Sequence, residues 1–311
     1  MTEGALHAGV VLALALLWDA LLGEPPTRVH PVVWMGRLQR ALRRRAPRAP
    51  LPAFLWGTLM ALLGPLVFGG GAWLLLHVLT PVPALRFVVE VYLFKSAFAV
   101  RALAEAGLSV ERALEAGDLA GARQGLRSLV SRDTSALTPP LLSAAAVESV
   151  AENTSDSAVA PILFFALGGV PAALAYRAAN TLDALVGYRG EYEWLGKAGA
   201  RLDDLLNLVP ARLTAALLVL VAPLGRASVL GALRCWWRDG ARTESPNAGR
   251  PMAAVAGALG VQLEKVGHYR LGAEGRLPGS GDIARTVRLM VAASLLGALT
   301  SLLLVFLLRG G

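Results

Sequence analysis

The sequence predicts an all-α fold: a polytopic integral membrane helical bundle in which cytoplasmic helical loops form the site. Three observations lead there. The 311-residue chain is 55% hydrophobic and only 17% charged, with a mean hydropathy of +0.54, whereas soluble domains carry about a quarter charged residues. Three apolar stretches, residues 5–22, 53–79 and 287–308, each approach or exceed the roughly 20 residues that a bilayer crossing needs. No period-two alternation of strand length recurs, so a sheet is not expected.

Taken in order, stretch 5–22 lacks a basic n-region and a small-x-small cleavage site, so it reads as a retained helix with Asp19 as its odd residue. Arg37, Arg40, Arg43, Arg44, Arg45 and Arg48 follow it. The positive-inside rule puts that loop in the cytoplasm and the N-terminus outside, and sends the chain back outward through 53–79. Gly69–Gly71 inside this stretch marks close helix packing. Beyond the Pro81–Pro83 turn, 85–107 has helical apolar spacing but carries Glu90, Lys95 and Arg101. It is expected to return the chain inside with those charges facing protein, because charge facing lipid is costly. Residues 108–142 read as soluble and helical, with Ser109 as an N-cap. Thr138 then caps a helix opening at Pro139. Gly168–Pro171 separates two helices, the second of which, 171–186, ends at Gly187. A further helix covers 193–208, and 209–225 either crosses with tilt or dips and returns. Four to six crossings are expected. The chain reads as a single membrane-embedded domain: 1–107 as N-terminal membrane helices, 108–286 as a mainly cytoplasm-facing catalytic region with dipping or crossing segments, and 287–311 as a C-terminal membrane helix. The lone Cys235 excludes an intrachain disulfide and reads as a buried neutral thiol.

The polar residues fall into patterns. In ESVAENTSDS, Glu148, Glu152 and Asp156 recur every fourth residue, so the two glutamates share a helix face. Asp156 joins them if the helix runs on past Asn153, where a break is plausible. Such acids repel one another. A divalent cation, with Mg²⁺ the best match to hard oxygen ligands, would relieve that repulsion; so would pairing with arginines, or simple solvation. Tyr176, Asn180 and Asp183 stand at i, i+4 and i+7, with Arg177 and Thr181 beside them. Lys197, Arg201 and Asp204 repeat the spacing, with Asp203, Asn207 and Arg212 nearby. These stripes suggest either a shared pocket at the membrane–cytoplasm boundary or a salt-bridge network holding the bundle. Ser245, Asn247 and Gly249 precede a helix predicted to start at Pro251, with Arg250 adjacent. That is an anion site built on a helix N-terminus or an ordinary capped turn. There is no P-loop, no Ser-His-Asp order or nucleophile elbow, and none of the four histidines has partners at metal-ligand spacing. His30, among prolines, reads as a loop-fixing hydrogen bonder. The net charge of +8 comes with few aromatics and no recognition motif, so no nucleic-acid partner is expected.

Four segments in order along nearly the whole chain, LLWDALLGEPPTRVHPVVWMGR, the long block from SRDTSALTPP through ALVGYR, YEWLGKAGARLDDLLNLVPARLTA and SPNAGRPMAAVAGALGVQL, resemble the adenosylcobinamide-phosphate synthase family of cobalamin biosynthesis. Departures are small. Met252 stands where the family usually has an acid, Ser157 where it has Gly, and GEP at Gly23–Pro25 where GDP is more usual. The resemblance implies a multi-pass protein of the bacterial inner membrane with its site facing the cytoplasm. It implies ATP-driven, Mg²⁺-dependent amide formation between adenosylcobyric acid and (R)-1-aminopropan-2-ol O-phosphate or a related amino alcohol.

On that footing Glu148 and Glu152, with Asp156 or Asp183, are expected to hold Mg²⁺. Lys197, Arg201 and Arg132 would neutralise phosphoryl charge, with Arg177 and Asn180 also binding the nucleotide. Asp203 or Asp204 would take the amine's proton, and Ser245, Asn247, Gly249 and Arg250 would hold the amino alcohol's phosphate. The bilayer, other cobalamin-pathway enzymes and a second copy of the chain are the expected partners. Two rivals stand beside this reading. A membrane Mg²⁺-dependent prenyltransferase would need paired D-x-x-x-D motifs, which are absent. A non-enzymatic corrinoid transporter or scaffold has no supporting internal repeat.

Overall fold

The computed structural model describes residues 3–188, 190 and 192–309. Fourteen α-helices follow one another among these: α1 (Glu3–Leu22), α2 (Pro31–Arg43), α3 (Pro50–Pro65), α4 (Gly71–Val78), α5 (Pro83–Lys95), α6 (Val100–Glu115), α7 (Leu119–Leu126), α8 (Pro139–Thr154), α9 (Ala160–Val186), α10 (Glu193–Leu206), α11 (Leu208–Val221), α12 (Val229–Asp239), α13 (Gly249–Leu259) and α14 (Ser280–Arg309). Between the last two lies a hairpin of β1 (Leu263–Lys265) and β2 (Tyr269–Leu271). Five helical stretches are long and apolar enough to cross a membrane: Glu3–Leu22, Pro50–Val78, Pro139–Val186, Leu208–Gly225 and Ser280–Leu308. The protein is therefore a polytopic helical membrane protein, with the number of candidate crossings inside the expected range.

The chain folds as two compact units, each discontinuous in sequence. One comprises Met1–Ala99, Ala160–Asn207 and Ala298–Gly311, the other Val100–Val159 and Leu208–Gly297.

In the first unit, glycines set how closely helices approach. α10 packs on both α3 and α9. A Cβ on Gly57 of α3 would run into the Leu195 carbonyl oxygen, and one on Gly196 of α10 into that of Val186. Gly69 touches Ala175 and Pro171 of α9, where a Cβ would meet atoms at 2.8 and 2.9 Å; this is the close packing expected of the glycine triplet. Inside α9, Gly168 and Gly169 leave helical geometry, Gly169 with φ +69°, and Pro171 restarts the helix as expected.

Because the obstacle at Gly57 is backbone rather than a mobile side chain, Gly57→Ala should cost stability at the upper end of the roughly 1–3 kcal/mol typical of overpacking. Gly71→Ala, whose Cβ would enter open space, should cost almost nothing. Denaturation midpoints in detergent micelles compare the two.

The stretch 85–107 is not one helix. It divides into α5 and α6 around Ser96–Ala99, where Lys95 turns inward and donates to the Phe98 carbonyl oxygen at 3.2 Å. A buried cation recruits the backbone as a partner, and the helix ends.

In the second unit, α8 is largely buried, with β1, α6, α7 and α13 packed against it. Ser109 does not cap: α6 already runs from Val100, and the Ser109 hydroxyl donates to the Ala106 carbonyl one turn back at 2.8 Å. Asp118 caps α7 instead, through the Gly121 N–H at 2.8 Å. α8 opens at Pro139 as predicted, although Thr138 makes no side-chain capping bond. After Thr154 the helix widens into a π-turn over Ser155–Val159, the interruption expected near Asn153. α13 starts at Gly249, two residues before the predicted Pro251.

The hairpin contradicts the expectation of no sheet. Its strands have three residues each, too few for an alternation to be visible in the sequence. Its three-residue turn has Gly267 at φ +79°, the left-handed position such turns require. Asp239, fully buried, holds the hairpin's end by accepting the Gly272 N–H at 2.9 Å. Burial alone would raise this carboxyl, but hydrogen bonds from Arg238 and Gly272 and the charge of Arg242 hold it below its usual value. Cys235 is buried and, through that burial and the Asp239 charge, pushed up to about 11, the inert thiol expected.

Candidate functional site

In the first unit one face of α10 carries Gly196, Gly199, Asp203 and Asn207 at i, i+3, i+7 and i+11. The two glycines bring that face against α9, so the polar residues below them meet the α9 stripe. Asn180 donates to Asp203 Oδ1 at 3.2 Å, and Asn207 donates to Asp203 Oδ2 at 3.0 Å. The Tyr176 hydroxyl donates to Asn207 Oδ1 at 2.9 Å, and Arg177 donates to Asn180 Oδ1 at 3.2 Å. Phe164 stacks on Tyr176 with centroids 4.9 Å apart. The result is a continuous relay in which the buried Asp203 accepts from two amides, each oriented in turn by a further donor. Burial pushes the Asp203 carboxyl above its usual value, more than the amides and Arg177 pull it down, and the neighbouring Asp204 carboxylate adds to the rise.

Lys197 and Arg201 are on another face. Both are exposed, Lys197 over the Trp194 ring at 4.8 Å and Arg201 at 3.9 Å from Asp204. Asp183 and Asp204 are half-buried. The Gly196–Gly199 spacing was the sequence signal for the buried face. The stripe Lys197–Arg201–Asp204 has the same periodicity but lacks small residues.

A second buried network lies in the same unit. Lys95, fully buried, contacts Asp19 Oδ1 at 3.1 Å and donates to Glu24 Oε1 at 2.9 Å. His30 accepts the Val32 N–H on Nδ1 at 3.2 Å and meets Glu24 Oε2 through Nε2 at 2.8 Å. It caps α2 and is the loop-fixing hydrogen bonder that the sequence suggests.

In the second unit Glu148 is buried on α8. Its Oε2 accepts from Arg132 at 2.8 Å while its Oε1 is buried without a hydrogen-bond partner. Glu152, one turn on, and Asp156, in the π-turn, are half-buried. Asn153 turns back along its own helix to the Ser149 carbonyl at 3.0 Å.

The loop before α13 uses most of its donors internally. Gly249 N–H donates to Thr243 Oγ1 at 3.0 Å, Asn247 N–H to Ser245 Oγ at 3.2 Å and Arg250 N–H to the Asn247 carbonyl at 2.9 Å. The helix N-terminus is thus largely self-capped. What it leaves is cationic: Arg212 donates to Asn247 Oδ1 at 3.2 Å, and Arg250 is held below its ordinary basicity by burial and by the charge of Arg212.

Among the described residues, no three His, Cys, Asp or Glu side chains come together as metal ligands, so in the second unit Glu148, Glu152 and Asp156 do not by themselves form a cage for Mg²⁺; Asp183 belongs to the first unit. The unpartnered Glu148 Oε1 fits the other common mode, in which the ion brings phosphate and water oxygens and takes one or two carboxylates from the protein.

Fold and site together define a polytopic helical membrane protein whose candidate site residues are buried carboxylates and amides met by half-buried guanidiniums. The model of the CobD/Cbib protein family matches residues 12–290, and the chain belongs to that family. It is 47% identical over 265 residues to the cobalamin biosynthesis protein CobD of Dehalococcoides mccartyi, covering 85% of this chain and 86% of that one. It is 44% identical over 306 residues to CobD of Klebsiella pneumoniae, covering 91% and 94% of the two. To the cobalamin biosynthesis protein CbiB of Salmonella typhimurium it is 41% identical over 302 residues, covering 92% and 94%. No solved structure matches the chain.

Proposed function

We propose that this protein acts in cobalamin biosynthesis by joining adenosylcobyric acid to (R)-1-aminopropan-2-ol O-phosphate, or a related amino alcohol, through an ATP-dependent amide bond. The names of its relatives support the pathway. The observation that best supports an anionic substrate is the half-buried pair Arg212 and Arg250, neither of which has a carboxylate partner among the described residues. Two guanidiniums repelling each other beside a buried asparagine are stabilised by a phosphate between them, and we assign them the amino alcohol's phosphate.

The propionate carboxylate attacks the γ-phosphorus of ATP, giving an acyl phosphate and releasing ADP. The neutral amine then attacks the acyl carbon, phosphate leaves, and one proton is lost from nitrogen. Glu148 through its Oε1, and Glu152, would hold Mg²⁺ arriving on the nucleotide. That ion would supply charge neutralisation of the phosphates. Arg132 orients Glu148 and adds a donor for phosphoryl oxygens, since transfer of this kind depends on positioning and electrostatics. Asp203 is the proton acceptor, because a raised carboxyl is the better base near neutrality. The bacterial inner membrane, with the arginine-rich segment after α1 on the cytoplasmic side, is the location that the positive-inside rule supports.

Asp203→Asn should lower kcat about 100-fold, a typical general-base contribution, with the KM for ATP nearly unchanged. A KM rise with full kcat would remove Asp203 from proton transfer. The reading itself is tested with purified, detergent-solubilised protein given adenosylcobyric acid, aminopropanol phosphate, ATP and Mg²⁺. Amide and ADP should form together and only with all four present. A requirement for an isoprenoid, or no chemical change, sinks the proposal.

A further inference from the structure

The hairpin β1–β2 has two faces of different chemistry. On the outer face the cross-strand partners Glu264 and Arg270 are joined at 2.9 Å. On the inner face Leu263 and Leu271 are paired and fully buried, and the next pair is Lys265 opposite Tyr269. Apolar residues would suffice to seal such a face against α8; a lysine and a tyrosine there require partners.

The partners are incomplete. The Tyr269 hydroxyl reaches Met252 Sδ at 3.8 Å, a weak acceptor. A phenol is an O–H donor at neutral pH, and the Glu148 and Glu152 carboxylates are its charged neighbours on α8. Lys265 lies within the field of Glu148. Arg132 Nε is buried without an acceptor, and Glu148 Oε1 without a donor. One place thus collects a phenol, an ammonium and a guanidinium nitrogen with donors to spare, and a carboxylate oxygen with acceptor capacity to spare. The buried Arg132 Nε and Glu148 Oε1 are costly to leave unsatisfied. A tetrahedral oxyanion carrying its own cation would satisfy all four groups.

We infer that Lys265 and Tyr269 form, with Arg132, the subsite for the terminal phosphoryl group of the nucleotide. This rests on the reading proposed above and adds two residues to it. Met252 has a part as well: an acid at that position would accept the Tyr269 proton, whereas the thioether leaves the hydroxyl free to donate to the phosphoryl oxygen.

The test is equilibrium binding of β,γ-imido-ATP and of ADP, each with Mg²⁺, to the full-length protein in detergent. Lys265→Gln should weaken imido-ATP binding about tenfold, and Tyr269→Phe by several-fold, as expected for hydrogen bonds to a charged group. Lys265→Arg should restore most of the loss, and ADP affinity should change little in any variant. Arg270→Gln, on the outer face, should bind imido-ATP as the wild type does and so reports on hairpin integrity. Equal losses for ADP and imido-ATP, or unchanged imido-ATP binding in both inner-face variants while the wild type makes amide, would overturn the subsite and leave the proposed activity standing. A wild-type protein that neither binds imido-ATP nor makes amide would overturn both.

Discussion

Lys95→Met is expected to destabilise the first unit by about 3–5 kcal/mol, the range for removing one partner of a buried ion pair. The substitution keeps an unbranched stem of similar length but deletes the ammonium that faces Asp19 at 3.1 Å and Glu24 at 2.9 Å. His30 cannot take its place. Its Nδ1 accepts the Val32 N–H and its Nε2 already meets Glu24 Oε2, so it does not reach into the space the ammonium leaves. Asp19 and Glu24 would lose the cation they share. Adding Asp19→Asn to the variant should recover part of the loss, and chemical denaturation in mixed micelles measures both.

The same network carries a pH signature. Burial would raise the Glu24 carboxyl, but hydrogen bonds and charge from His30 and Lys95 hold it below its usual value. Its contribution to stability is therefore complete above the unfolded glutamate pKa and lost as the pH falls through the depressed folded value. Lys95→Met should flatten that acid limb. An unchanged acid limb, or no recovery in the double variant, would mean that the network contributes little.

Arg132→Ala is the second large effect. It removes the donor at 2.8 Å from Glu148 Oε2, leaving neither oxygen of a buried carboxylate bonded. The cost should again be about 3–5 kcal/mol, with turnover lower by about 100-fold, the scale of losing one donor to developing anionic charge. Glu148→Gln added to Arg132→Ala should recover stability, because a neutral amide tolerates burial better than an unpaired charge. Turnover should not return, since an amide is a poor ligand for a phosphate-bound cation. If turnover recovers with stability, the Arg132–Glu148 pair is structural only.

Much of this molecule was legible in the sequence, for reasons that differ by element. Long apolar runs predict crossing helices because a bilayer sets their length. The paired glycines at Gly168 and Gly169 predict a break because few other residues take Gly169's φ. His30 reads as a loop-fixing hydrogen bonder because it sits among prolines. The site was less legible. Periodicity shows that α10 has two polar faces, Asp203–Asn207 and Lys197–Arg201–Asp204, but does not say which turns inward; Gly196 and Gly199 decide that through backbone contact. Lys95 was expected to face protein, but its partners were not legible, because Asp19 and Glu24 are more than seventy residues away. The hairpin escaped notice for its brevity, and Lys265 and Tyr269 with it. In the loop before α13, the backbone N–H groups expected to face an anion are used by Thr243, Ser245 and Asn247; Arg250 was legible as the loop's cation, whereas Arg212 beside Asn247 was not, because it comes from another helix.

The central claim is that amide formation is driven by phosphorylation of the corrinoid carboxylate. Its most direct test uses adenosylcobyric acid labelled with ¹⁸O at the free propionate, turned over with unlabelled ATP and amine. Attack of that carboxylate on the γ-phosphorus, then expulsion of phosphate by the amine, predicts one ¹⁸O in each inorganic phosphate released and ADP as the nucleotide product. Phosphate without the label, or AMP in place of ADP, would contradict the account.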